Sequence, residues 1–236
     1  MFDFHTHILP AIDDGSSCIE ESLTMLNELK KQGVDGIAAT PHFSPEQTSP
    51  EKFFERRQAA WEILKDHLTT EHPEVRLGAE VKYFEGIARY EAISRFCIEG
   101  TDLLLLEMPH GEWTGRMVST LIELNEKRGV TVLLAHIERY LKQQSKDTWK
   151  QLLHSGIIMQ VSADYFIDRK TRRRALKQLK AGSVHLLGSD CHNMNTRPPN
   201  MAVAVSIINS VKKEDYLKNI NRLENMLLSD NKLLVK

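Results

Sequence analysis

Cysteine is scarce in this 236-residue chain: Cys18, Cys97 and Cys191 are its only three, and no two stand at a paired spacing. An odd, unpaired count excludes a disulfide-stapled secreted scaffold and indicates reduced thiols. Excess charge of one sign is also missing, because 31 basic and 32 acidic residues give a formal net charge of -1. That balance advertises no polynucleotide track and no cationic lipid surface, so neither nucleic acid nor membrane is an expected partner. No apolar run approaches membrane-spanning length and no basic start precedes an apolar core, so the expected location is cytoplasmic, without membrane insertion. Repeats, low-complexity stretches and linkers are lacking as well. A single domain over residues 1–236 is the expectation, and 41% hydrophobic residues suffice for one full core.

What is present is alternation. Short β-rich runs at Met1–His5, Val34–Ala39, Val75–Ala79, Asp102–Leu106, Val130–Ala135, Ile157–Val161 and Val184–Gly188 are read as seven strands. Amphipathic stretches separate them, at Glu20–Gln32, Glu51–Thr69, Ile87–Ile98, Met117–Lys127, Asp147–Leu153 and Arg169–Lys180. Gly33, Gly129, Gly156 and Gly182 each follow a helical pattern, where a left-handed cap is expected. Strands alternating with helices imply right-handed βαβ units around a parallel sheet, and the Leu103–Leu106 run fits a sheet covered on both faces. Thr40–Pro50, with three prolines, is the expected long loop. The chain after Arg197 reads as helix, ending in a Lys/Asn-rich stub.

The first strand ends in His5-Thr6-His7, and residues two apart in a strand share a face. Taken alone, H-x-H is weak evidence for a metal site. Its weight comes from position: His42 follows the second strand, Glu80 the third, Glu107 ends the fourth, His136 the fifth, and Asp190 with His192 follow the seventh. Asp14 lies in the first loop. In a parallel α/β barrel the site lies at the carboxyl ends of the strands, so these groups would converge on one pocket. Chance would scatter them over both ends. His67, His72, His154 and His185 do not occupy strand ends and are read as ordinary hydrogen-bonded histidines, while His110 is left unassigned.

Nine such ligands exceed what one zinc takes, and mixed imidazole and carboxylate ligation suits Mn, Fe, Zn or Co. The natural chemistry of such a centre is displacement at phosphorus by a metal-bound hydroxide. A competing signal is the C-x5-R pattern from Cys191 to Arg197, the signature of cysteine-dependent tyrosine phosphatases. That chemistry needs a Gly-rich loop to cradle phosphate and lower the thiol pKa, and no glycine lies between the two residues. The match is read as coincidence.

His5-x-His7, Thr40-Pro41-His42, Gly78-x-Glu80, Ala135-His136 and Ser189-Asp190-x-His192 together resemble the polymerase-and-histidinol-phosphatase superfamily. Ile8–Gly15, Ile137-Glu138-Arg139-Tyr140 and the segment from His192 to Pro199 narrow the resemblance to the bacterial protein-tyrosine phosphatases of capsule and exopolysaccharide operons. The resemblance implies a distorted seven-stranded (β/α)7 barrel holding three metal ions, manganese first with iron or zinc as alternatives. His5, His7, Glu80 and Asp190 would hold one ion, Glu80 (bridging), Glu107 and His136 a second, and Asp14, His42 and His192 the third. Arg139 and Arg197 would grip the phosphate, and Asp190 or a metal-bound water could serve as acid. The implied substrate is a phosphotyrosine protein, the tyrosine-rich C-terminal tail of a bacterial tyrosine kinase. Alternatives are another phosphomonoesterase of the superfamily, such as a histidinol-phosphate phosphatase, an amidohydrolase bridged by a modified Lys82, and a non-catalytic protein whose metals only stabilise the fold.

Overall fold

The computed structural model describes residues 1–127, 129–211 and 216–229. The Lys/Asn-rich stub expected at the carboxyl end lies outside them. Nine strands alternate with eight helices among these residues. The strands are β1 (Phe2–Thr6), β2 (Gly36–Ala39), β3 (His42–Phe43), β4 (Glu74–Leu77), β5 (Glu80–Lys82), β6 (Leu103–Glu107), β7 (Thr131–Leu134), β8 (Ile158–Ser162) and β9 (Leu186–Gly188). The helices are α1 (Ile19–Lys31), α2 (Pro50–Lys65), α3 (Gly115–Lys127), α4 (Lys146–His154), α5 (Asp164–Ile167), α6 (Arg172–Lys180), α7 (Met201–Asn209) and α8 (Tyr216–Leu228).

Every strand pair is parallel. The order β1-β2-β4 forms a small sheet, and β3-β5-β6-β7-β8-β9 forms a larger one that curls into a half-barrel. Backbone bonds tie the ends of this arrangement together. The His7 amide donates to the Cys191 carbonyl at 2.9 Å, and the Asp190 amide donates to the His5 carbonyl at 2.9 Å. β1 and β9 are buried throughout, as are Leu103–Leu106 of β6, which is how a sheet enclosed by helices must read.

The structure departs from seven uninterrupted strands at two places. The second run stops at Ala39 and resumes at His42, and the third stops at Leu77 and resumes at Glu80. Pro41 has no amide to give to a ladder, so a break beside it is forced. Gly78 sits where space is short: a Cβ there would stand 3.2 Å from the Ile98 side chain and 3.3 Å from that of Thr40. The Thr40–Pro50 segment is therefore not one continuous loop, since it contains β3 and ends at Ser49, whose hydroxyl caps α2 by accepting from the Lys52 amide.

Helix expectations hold at α1, α2, α3, α4 and α6 within a few residues at each end. Ile87–Ile98 does not form one helix. It makes two short 3-10 turns, Ile87–Arg89 and Ile93–Phe96. Ile87 and Ile93 are both buried, and at about 100° per residue an α-helix would turn them roughly 120° apart. Two separate turns let both point inward. Gly156 and Gly182 end α4 and α6 with φ of +78° and +68°, the left-handed conformation expected of them.

Gly188 ends β9 directly behind the first strand. A methyl group there would lie 2.7 Å from Gln160 Nε2 and 2.7 Å from His5 Cβ. Gly188→Ala should therefore lower unfolding stability by about 1–3 kcal/mol, read by denaturant titration. An unchanged midpoint would mean that this approach is looser than drawn.

Candidate metal centre

The carboxyl ends of the strands bring the strand-end residues together. Parallel register sets His42 of β3 beside Glu80 of β5, so their side chains leave the sheet on one face. His5 and His7 approach from β1, with Nε2 atoms 3.1 Å apart. His136 and Asp190 are both non-glycine residues in the left-handed region, with φ of +32° and +54°. That conformation costs each about 1–2 kcal/mol and turns a strand-end side chain inward.

Glu80 is the centre of the cluster. It is 1% exposed, and its Oε2 lies 2.9 Å from His42 Nδ1, 3.1 Å from His5 Nε2 and 3.3 Å from His7 Nε2. Its Oε1 lies 2.8 Å from His136 Nε2. Yet Oε2 has no hydrogen-bond partner among the described residues. A buried, orphaned carboxylate oxygen ringed by imidazole nitrogens is costly as it stands and is the geometry of a ligand atom. Burial opposes its ionisation, but His5 and the neighbouring histidines hold its carboxyl well below the usual carboxylate range.

Around this centre, ligand atoms fall into three groups, each within 4.8 Å of one another: His7, Asp14, His42 and His192; His5, His7 and Asp190; and His42, Glu80 and Glu107. Eight of the nine expected ligands fall in these groups and His136 in none of them, and the groups overlap differently from the implied sets. His7 and His42 each belong to two of them. His136 is placed by Glu80 at 2.8 Å and by Glu107 Oε1 at 3.5 Å. Asp14 is the outermost, with a 67% exposed side chain 3.3 Å from His42 and 3.6 Å from His192. The donors are imidazoles and carboxylates without thiolate, a set that fits the expected metals.

Supporting bonds fix several rings, and these the sequence reading missed. Asp13 Oδ2 accepts from His7 Nδ1 at 2.8 Å and from the His42 amide at 3.0 Å, while its Oδ1 accepts from Gly15 N at 3.0 Å. The Asp13-Asp14-Gly15 triplet is visible in the sequence, but nothing there marks Asp13 as the partner of a histidine ring. Tyr140 Oη stands 3.3 Å from His136 Nδ1, and Gln160 Oε1 accepts from the His136 amide at 2.7 Å. His192 Nδ1 donates to the Asp190 carbonyl at 3.0 Å, which turns Nε2 toward Asp14 and Arg197. Such partners orient metal-binding rings and raise their basicity.

Arg139 and Arg197 converge on one atom. Both guanidiniums donate to Asp190 Oδ2 at 2.5 Å, and Arg197 also reaches His192 Nε2 at 2.7 Å. They line a cavity of about 180 Å³ beside the cluster, which Glu138, Ser162 and Asn200 also line. His110 does not join the ligands; its ring packs 5.8 Å from that of Tyr140. His67, His72, His154 and His185 each bond locally, to Ile63, Thr69, Lys150 and Gly182. Lys82 is exposed, and it is Glu80 that stands among the imidazoles.

The C-x5-R segment is no phosphate cradle. Cys191 is 1% exposed, and burial, with Asp3 beside it, pushes its thiol far above the ordinary range. The amides of Asn195, Thr196 and Arg197, which a cradle would aim at phosphate, all donate to Asn193 Oδ1.

Residues 1–228 match the family described as "Capsular polysaccharide synthesis, CpsB/CapC". Among individual proteins, the chain is 29% identical over 225 residues to the tyrosine-protein phosphatase CpsB of Streptococcus pneumoniae, covering 88% of this chain and 89% of that one. It is 26% identical over 208 residues to the tyrosine-protein phosphatase YwqE of Bacillus subtilis, covering 84% and 79%. The fold superposes with a TM-score of 0.84, at 21% identity and over 100% of this chain and 97% of the other, on a crystal structure from the pair YwqE of B. subtilis and CpsB of S. pneumoniae, described as unique metal-dependent tyrosine phosphatases. A β-aspartyl dipeptidase from Fervidobacterium islandicum shares the fold more distantly, with a TM-score of 0.53 at 14% identity over 96% of this chain and 73% of that one.

Asp13→Asn should lower Mn(II) affinity about 10–100-fold while leaving the far-UV circular dichroism unchanged. Isothermal titration of the metal-free protein with Mn(II) checks this. Wild-type affinity in the variant would remove Asp13 from the site.

Proposed function

Because the chain belongs to the CpsB/CapC family, we propose that it is a metal-dependent protein-tyrosine phosphatase acting on a phosphotyrosine protein of a polysaccharide-export system. The tyrosine-rich tail of a bacterial tyrosine kinase is the substrate that fits this reading. The observation that carries it is the buried Glu80 carboxylate among four imidazoles, with two arginines one residue shell away. Within this reading the two sheets count as one barrel of seven staves, β2 running on into β3 and β4 into β5. The His5–Asp190 and His7–Cys191 backbone bonds would then be its seam.

His5, His7, Glu80 and Asp190 would hold one ion, Glu80 with Glu107 and His136 a second, and Asp14, His42 and His192 a third. Manganese is the first expectation, with iron or zinc as alternatives. When bound, such ions supply Lewis acidity at phosphoryl oxygens and lower the pKa of water. The chain's own residues do the rest. Arg139 and Arg197 offer planar guanidiniums to the phosphate, held ready by Asp190. The Asp190 carboxylate, kept at about 2 despite its burial by the neighbouring His5, His7 and Arg139, balances the charge of the arginines until substrate arrives. A phenol has a pKa of about 10, so a tyrosyl leaving group departs with little acid assistance. A site without a dedicated acid favours aryl over alkyl phosphates.

Turnover should be abolished by chelator and restored by metal, with Cys191→Ser keeping most of it. Elemental analysis alongside a phosphotyrosine-peptide assay measures both. Loss of activity in Cys191→Ser at unchanged metal content would overturn this mechanism.

Arg139→Ala and Arg197→Ala should each lower kcat/KM by about 1.5–3 kcal/mol, with metal content intact. The same assay run on phosphotyrosine peptide, phosphoserine peptide and histidinol phosphate should favour the first. A clear preference for histidinol phosphate would move the assignment to that phosphatase.

A further inference from the structure

The near-zero net charge conceals a local imbalance. From Arg169 to Lys180 the sequence carries seven cations and no acid, and most of this stretch is α6. Alongside it, between α4 and α6, runs a groove of about 500 Å³. It extends from Ile137 and Leu141, past the carboxyl end of β7, to Ala181, ahead of β9. Trp149 and Met159 add apolar surface to it.

The rim has one sign. Lys146 and Lys150 line it from α4, Arg174 and Lys177 from α6, and no Asp or Glu is among its lining residues. The nearest carboxylate on α4, Asp147, lies 3.8 Å from Lys150 and is 86% exposed. Lys146, Arg174 and Lys177 have no ion pair among the described residues. An apolar floor with cations on both walls is complementary to a polypeptide that mixes acidic and bulky apolar side chains.

Location identifies whose polypeptide. Ile137 and Leu141 flank Arg139 in a single turn, and Arg139 reaches the Asp190 end of the metal cluster. Two residues of backbone span at most about 7 Å, so the groove begins close to the phosphate-gripping arginine. We propose that this groove docks an acidic, apolar-containing segment flanking the phosphotyrosine of the protein substrate, an inference that rests on the phosphatase reading above. Docking there would lower KM through contacts made equally in ground and transition states, leaving kcat unchanged.

The test uses the full, metal-loaded chain and the double variant Lys146→Glu/Lys177→Glu, whose altered residues lie outside the catalytic cluster. Probes are free phosphotyrosine, a phosphotyrosine peptide flanked by Asp, Glu and Leu, and the same peptide with a Ser/Gly flank. The acidic flank should lower KM about tenfold in the wild type, and less at high salt. The double variant should lose that advantage while turning over free phosphotyrosine normally. Fluorescence anisotropy of the unphosphorylated acidic peptide tests docking separately and should show binding to the wild type and not to the variant. Absent turnover of free phosphotyrosine by the wild type would refute the phosphatase reading, with docking still decided by anisotropy. Equal binding to both proteins, binding to neither, or loss in the variant of phosphatidylserine-vesicle binding alone would overturn the groove assignment.

Discussion

A carboxylate buried among imidazoles is the constraint on which this molecule turns. Stripping an ionised carboxyl of water costs far more than any single hydrogen bond returns. Glu80 can stand at the centre of the sheet's carboxyl end only because groups that favour its charge arrive from β1, β3 and the turn after β7 at once. Each arrives on a different strand. The sheet must therefore be parallel and its strand ends level, or the charge would be left uncompensated. The apolar core below, with Leu103–Leu106 buried, supplies the stability that such an arrangement consumes.

The same constraint explains where backbone strain has collected. Among the described residues three non-glycines take positive φ, and two of them, His136 and Asp190, are expected ligands. A strand running on in regular geometry would send successive side chains to alternate faces, and only some would reach the centre. Leaving the strand through a left-handed residue re-aims one side chain at a local cost. The Tyr140 and Gln160 contacts to His136, and the bond from the Asp190 amide to the His5 carbonyl, hold these turns in place.

What the sequence disclosed follows from that geometry. Ligand types at strand ends are legible because strands are legible: β-rich runs such as Val130–Ala135 and Val184–Gly188 bracket them, and a residue type that recurs at one end of successive runs is a pattern no single motif provides. Asp13 was not legible, since a carboxylate that orients a histidine ring looks like any turn aspartate until the ring is seen 2.8 Å away. The breaks at Pro41 and Gly78 escaped for a related reason. A proline between two apolar runs can start a loop or merely skip a rung, and the neighbouring strand decides which. Ile87–Ile98 was misread because apolar counts do not record that six residues carry a helix face well around its axis.

The coincidental C-x5-R match shows how a motif differs from a site. A cysteine phosphatase loop works because free amides converge on an anion and depress a thiol pKa. Here the corresponding amides are spent on Asn193 Oδ1, and the thiol is buried. Of that motif only the arginine lines a pocket. Arg197 extends beside Arg139 toward the same oxygen of Asp190, so two cations are assembled over one carboxylate before any phosphate is present. Two guanidiniums brought this close would repel one another in the absence of that anion. Asp190 thus does more than sit near the cluster, because its carboxylate sets the spacing of the two guanidiniums. The two arginines and the imidazole cluster are thus joined through one side chain, and neither arrangement could be altered there without disturbing the other.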